Sequence, residues 1–145
     1  MTTARSVCIA ALALGVLSCT SIRPVKINAG EQCFRCRRTI NDTRLAGERI
    51  TGFVEKFRTP ACMASYVVNN PEEQGPIFVT DYATGELVDA NVAFFVPVVL
   101  NDITGERDYR AYALRADAVT TASDLHTVPI DWNAVLERAR VPYAE

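Results

Sequence analysis

Two segments hold most of the side chains in this sequence that can do chemistry: Cys33-Phe34-Arg35-Cys36-Arg37-Arg38 and Cys62-Met63. A Cys-x-x-Cys pair can clamp one metal ion or close one small disulfide ring. A third thiol from a separate segment makes a three-sulfur site, and Met63 adds a thioether beside it. Soft sulfur ligands favour Cu(I) or Zn(II) over hard cations. The chain holds one histidine, so any metal site is mainly sulfur. That residue, His126, lies in no catalytic motif and reads as a surface or turn position. No enzyme class is supported.

Composition narrows the setting. A chain of 145 residues allows one domain with a sizeable core. Its 15 basic and 17 acidic side chains nearly cancel. The short basic cluster Arg35, Arg37 and Arg38 has no aromatic-interleaved stripe beside it, so nucleic acid is not an expected partner.

The N-terminus reads as an address. Arg5 opens a short basic region, and an apolar run follows from Val7 to Leu17, too short for a permanent bilayer span. It ends in Val16-Leu17-Ser18-Cys19, which resembles a bacterial lipobox, with cleavage before Cys19 and lipid on its sulfur. An ordinary signal peptide cut near Ser18 is the alternative. Acylation at Cys19 supplies the several chains that stable membrane attachment needs. Thr20 stands where an inner-membrane retention residue, Asp, is absent, which points to the outer membrane of a diderm cell, facing the periplasm. The expected organisation is a signal peptide over 1–18, a lipidated tether over 19–32 and one domain over 33–145. Of five cysteines, Cys8 leaves with the signal and Cys19 takes lipid, so Cys33, Cys36 and Cys62 remain. An odd count in an oxidising compartment leaves one thiol over from a disulfide, whereas a metal site uses all three.

The elements that must position these thiols follow in order. Thr20 to Gln32 reads as a tether with a reach of up to ~40 Å, and the thiol pair follows in a knuckle-like turn. Ile40 to Gly47 suggests a short turn or helical piece, and Arg49 to Phe57 a strand with Phe53 and Phe57 in the core. Thr59-Pro60 is a helix start, with Thr as cap and Pro in the first position, and Asn69-Asn70-Pro71 is a stop. Cys62 then falls in the first turn, where free amides and the helix dipole favour a thiolate; the competing reading is a small buried residue. Pro76 to Tyr82 reads as a central strand, returning through a turn into Leu87 to Ala90. Asn91 to Leu100 and Tyr109 to Leu114 read as further strands, and Ala116 to Ala122 as a short helix. Asp131 caps a last helix with Trp132, Val135, Leu136 and Ala139 on one face.

Cys33-x-x-Cys36, Thr59 to Tyr66 with Cys62-Met63, Val79-Thr80-Asp81-Tyr82-Ala83-Thr84-Gly85-Glu86, Asp89-Ala90 and Ala93-Phe94-Phe95-Val96 occur in an order that resembles the NosL-type lipoproteins. These are accessory copper-binding proteins of nitrous oxide reductase assembly. The similarity covers roughly Gln32 to Ala118. It implies a small α+β fold, a mixed sheet of about four to five strands with two or three short helices, related to the metal-binding domain of organomercurial lyase. It also implies handling of periplasmic Cu(I), with Cys36 as the main thiol and Cys33, Cys62 and Met63 as further ligands. Asp81 and Asp89 match the signature run and read as turn and supporting groups. The chain departs from the pattern after Cys36, where the family often has Cys-Gly-Met and this chain has Arg37-Arg38. Val98 to Arg110 also lacks a second expected methionine.

Arg37 and Arg38 can offset the negative charge of three thiolates around Cu(I) and lower the thiol pKa values. They equally suit a reactive thiolate, an anion-binding surface or plain solvated charge. Three functions stay open on these residues. One is a membrane-anchored carrier of Cu(I), or of Zn(II), serving a metalloenzyme or assembly partner. The second is a binding module with a structural zinc or disulfide at the same cysteines. The third is a thiol–disulfide redox protein, although Cys33-x-x-Cys36 does not open a helix after a buried strand.

Overall fold

The computed structural model describes residues 21–141. The signal segment, Cys8, the lipobox and Cys19 lie outside the described residues. Among the described residues no helix is long and apolar enough to cross a membrane.

The fold is α+β. A 3-10 turn (Thr43–Leu45) precedes strands β1 (Gly47–Ile50) and β2 (Val54–Phe57), helix α1 (Pro60–Asn69), then β3 (Ile77–Thr80) and β4 (Leu87–Asp89). Strands β5 (Phe94–Asn101) and β6 (Glu106–Tyr112) and helices α2 (Arg115–Asp124) and α3 (Trp132–Arg140) complete it. The strands form two antiparallel sheets, β2-β1-β3-β4 and β5-β6, in place of one mixed sheet. A parallel bridge between Asp81 and Ala111 joins them.

Alternation sets the faces. In β2, Glu55 and Phe57 point inward while Val54 and Lys56 are only partly covered, the period of two expected of a strand. Phe57, Met63, Ala64, Val79 and Phe95 fill the space between sheet and helices, with Trp132 and Val135 of α3. The Phe95 and Trp132 rings lie 5.4 Å apart. Helix α2 covers β5-β6 through Ala118 and Ala122, packed with Val96 and Tyr112. Asp131 accepts the Ala134 amide, and Trp132, Val135, Leu136 and Ala139 do meet the core. His126 is exposed in the turn after α2, with φ +51.

Two expectations change. Residues 49–57 are not one strand: 51–53 turn the chain, β1 pairs with β2, and Phe53 is exposed at the tip. The reason is that Thr51-Gly52 breaks the β-rich run, as glycine inside a strand pattern often does. The free tether is also shorter than Thr20 to Gln32. The Val25 amide donates to buried Glu48 at 2.6 Å, Ile27 is buried, and the Lys56 ammonium bonds Glu31 and the Lys26 carbonyl. Ile27 gains cover from the domain that an extended tether would deny it.

Candidate metal centre

The first two sulfurs come from a closed knuckle. Gln32 and Thr39 form an antiparallel bridge, and between them the Cys33 amide donates to the Arg38 carbonyl at 2.9 Å. The Arg37 amide donates back to the Cys33 carbonyl at 3.0 Å. Closing so tight a loop places Arg37 at φ +60, the left-handed region that disfavours a side chain. The Phe34 amide ties the knuckle to the Lys56 carbonyl of β2. Phe34 also packs edge-on against Phe57 and Tyr66. Cys33 is buried and Cys36 is half-buried.

The third sulfur comes from the start of α1. Thr59 caps the helix, its hydroxyl accepting the Cys62 amide, and Pro60 takes the first helical position. Strand β6 fixes this start. Glu106 and Asp108, two residues apart and so on one face, reach Arg58 and the Ala61 amide respectively. Asp108 is almost fully buried, and burial pushes its carboxyl above the usual carboxylate range. The Thr59 hydroxyl and the Ala61 and Tyr109 amides pull it part of the way back.

These supports bring the Cys33, Cys36 and Cys62 sulfurs within 4.8 Å of one another. Cys33 and Cys62 are the close pair, with their Sγ atoms 3.5 Å apart. A tetrahedral Zn–S bond of ~2.3 Å sets neighbouring sulfurs ~3.8 Å apart, so the spacing suits one shared ion. The three cysteines can hold one soft metal ion, and Cys36 is its open side.

The sulfurs of the close pair stand at hydrogen-bond distance, so either thiol can donate to the other as thiolate. The Cys62 thiol beside it holds Cys33 well below the ordinary thiol range, to about 4; burial opposes this, and the Cys36 and Arg58 amides add to it. Cys62 is pushed up, first by its hydrogen bond to Cys33 and then by burial, while Arg35 pulls it down. The pair therefore holds one charge between Cys33 and Cys62. At the helix start the amides are already engaged: the Asp108 carboxylate accepts from Ala61, and Thr59 accepts from both Cys62 and Met63.

The arginines at the sulfurs differ from those singled out in the sequence. Arg35 Nη1 lies 4.0 Å from Cys62 Sγ, the outer limit for such a contact. Arg58 interacts with Cys36 while pairing with Glu106. Arg37 instead stacks over Phe34, 5.7 Å from the ring centre, and Arg38 is exposed, its carbonyl serving the knuckle. Met63 packs into the core against Gly47, where an added Cβ would stand 3.4 Å from its Sδ. Asp81 accepts from Thr84 and from the Ala83 and Ala113 amides, and Asp89 from Asn91; both organise turns. Arg58, Glu106 and Asp108 were missed. Only Arg58 had a local signal, since it directly precedes the Thr59-Pro60 cap; Glu106 and Asp108 act on residues 47 or more positions away.

No protein-family model matches the chain, and no curated protein matches it.

Proposed function

We propose that this chain is a membrane-anchored periplasmic lipoprotein that binds one Cu(I) through Cys33, Cys36 and Cys62 and passes it to a metalloenzyme or its assembly partner. The observation that carries this reading is the convergence of three thiols from two distant segments, two of them buried and one open. Three soft ligands suit Cu(I), whereas structural zinc sites are almost always closed by a fourth ligand. Among the described residues, no His, Asp or Glu joins the three cysteines in that group. Three thiolates around Cu(I) leave excess negative charge, and Arg35 and Arg58 stand where they offset it.

The kinship to NosL-type lipoproteins belongs to the same proposal. Arg37 supports it in an unexpected way. The family's Cys-Gly-Met pattern has glycine at this place, and Arg37 holds the φ +60 that favours glycine. A glycine-favouring backbone at this place is what the Cys-Gly-Met pattern leads one to expect.

Release needs no redox step. An acceptor sulfur bonds to the ion on its open side as the bond to Cys36 breaks, and the copper stays Cu(I) throughout. A structural zinc is the second reading, favoured by the burial of Cys33 and Cys62. The test is anaerobic loading of the lipid-free protein with Cu(I) and Zn(II) in turn, followed by a competing chelator. One Cu(I) retained and surrendered readily to the chelator supports the carrier. Inert Zn(II), or a bound metal that survives Cys36→Ser, contradicts it.

A further inference from the structure

A carrier's open side must be met by whatever takes the ion, and the surface around Cys36 has a distinct chemistry. Residues 32–41 contain three arginines and no acid. Arg35, Arg37 and Arg38 are all exposed, and none is in an ion pair among the described residues. This local excess of positive charge stands on a chain whose formal net charge is −2. Beside it, the tip of the β1-β2 hairpin presents Phe53, 58% exposed, with its ring 5.8 Å from Phe34. Arginine and aromatic residues without lysine are the composition enriched at protein interfaces.

We propose that the face formed by the 33–38 knuckle and the Phe53 tip docks an acidic protein surface that brings the accepting sulfur to Cys36. This rests on the carrier reading above. The charge complement follows from Arg37 and Arg38, which steer an anionic partner toward the sulfurs through a field that salt weakens. Phe53 and Phe34 supply the apolar contact that holds it. A protein partner is favoured over a lipid headgroup because transfer requires a ligand atom within bonding distance of the metal, which a phosphodiester surface does not offer as sulfur.

The test uses the full chain carrying Cys19→Ser, so that no lipid is attached, and two acceptor peptides. Both peptides have one Cys-x-x-Cys copper site, flanked by glutamates in one and by glutamines in the other. A fluorescent version of each with serines for cysteines reads docking without metal. The metal-free protein is expected to bind the glutamate peptide about tenfold more tightly than the glutamine peptide. The preference is expected to vanish in high salt and in the double variant Arg37→Glu, Arg38→Glu, which leaves the three sulfurs untouched. Arg37→Gln, Arg38→Gln repeats the test with a neutral pair should charge reversal disturb folding. With Cu(I) loaded, transfer rates are expected to follow the same order.

No preference for the glutamate peptide, or one that survives both double variants, overturns the docking surface. So does arginine-dependent capture on phosphatidylglycerol vesicles without any peptide preference, which assigns the face to the membrane. Loss of Cu(I) retention with the peptide preference intact sinks the carrier reading alone.

Discussion

Helix α1 carries a polar cluster at each end, and the two are built on opposite terms. Near its C-terminal end, Arg49 of β1 is 1% exposed and wholly engaged. It donates to Glu55 at 2.6 Å and to the Glu73 carbonyl and carboxylate, and it lies over the Tyr66 ring at 4.9 Å. At the N-terminal end, three sulfurs meet with two arginines nearby, one shared with Glu106. The first cluster pairs a buried cation with two carboxylates, Glu55 inside and Glu73 at the surface. The second gathers three soft sulfurs from two segments, one of them half-buried. A polar cluster closed around a buried cation ties strands to a helix; one made of converging thiols can hold a soft ion.

Substitutions separate the two ends, beginning with the largest effect. Arg49→Met strands the buried Glu55 carboxylate and is expected to cost about 3–5 kcal/mol in denaturant unfolding, with Cu(I) affinity unchanged. Replacing Arg49 and Glu55 together by apolar residues is expected to recover most of that loss, because no buried charge is left unpaired. At the other end, Cys33→Ser, Cys36→Ser or Cys62→Ser removes a direct ligand. Each is expected to weaken Cu(I) by more than the roughly ten- to hundredfold typical of an outer partner, measured by chelator competition. A cysteine variant with undiminished affinity would break the contrast.

Asp108→Ala sharpens it further, because Asp108 joins helix start to strand without touching sulfur. Loss of its bond to the Ala61 amide is expected to cost about 1–2 kcal/mol, with a smaller fall in metal affinity as Cys62 loosens. Arg37→Gly relieves the left-handed strain and is expected to raise stability by roughly 1 kcal/mol without altering the metal site.

The hydrogen-bonded pair gives a pH signature. Cys33 is depressed to about 4, so its contribution to stability is complete only above the unfolded thiol pKa and is lost as pH falls through the folded value. Cys62, raised, works the other way and is penalised once unfolded thiols ionise. Stability of the metal-free protein is therefore expected to climb from mildly acidic pH toward the ordinary thiol pKa and fall beyond it. The ultraviolet thiolate band should show a thiolate already present near neutrality and lost when Cys33 and Cys62 are both replaced by serine. Mild treatment of the metal-free protein with oxidised glutathione is expected to join Cys33 to Cys62, the nearest sulfurs, leaving Cys36 free. A Cys33–Cys36 bond in peptide mapping would contradict that pairing.

Much of this was legible in the chain because it is local. The Thr59-Pro60 start, the Asn70-Pro71 stop and the Asp131 cap each use side chains within a few residues of the backbone they satisfy. The three cysteines were legible by type. The turn at 51–53 was hidden inside a run whose propensity is β throughout, with a single glycine to betray it. The arginines were confused because sequence adjacency to Cys36 is not proximity to sulfur. The left-handed turn at Arg37 sends its guanidinium over Phe34, while Arg58 arrives from the position just after β2. Asp108 acts across the fold on the start of α1, 47 residues away from the amide it accepts. No local pattern announces such a pairing.

The most direct test is the sulfur count around bound copper, by X-ray absorption on protein loaded anaerobically with one Cu(I). Three sulfurs at one short distance, falling to two in Cys36→Ser, is the result expected of a site made by Cys33, Cys36 and Cys62. Nitrogen or oxygen neighbours, or a sulfur count indifferent to Cys36, would contradict it.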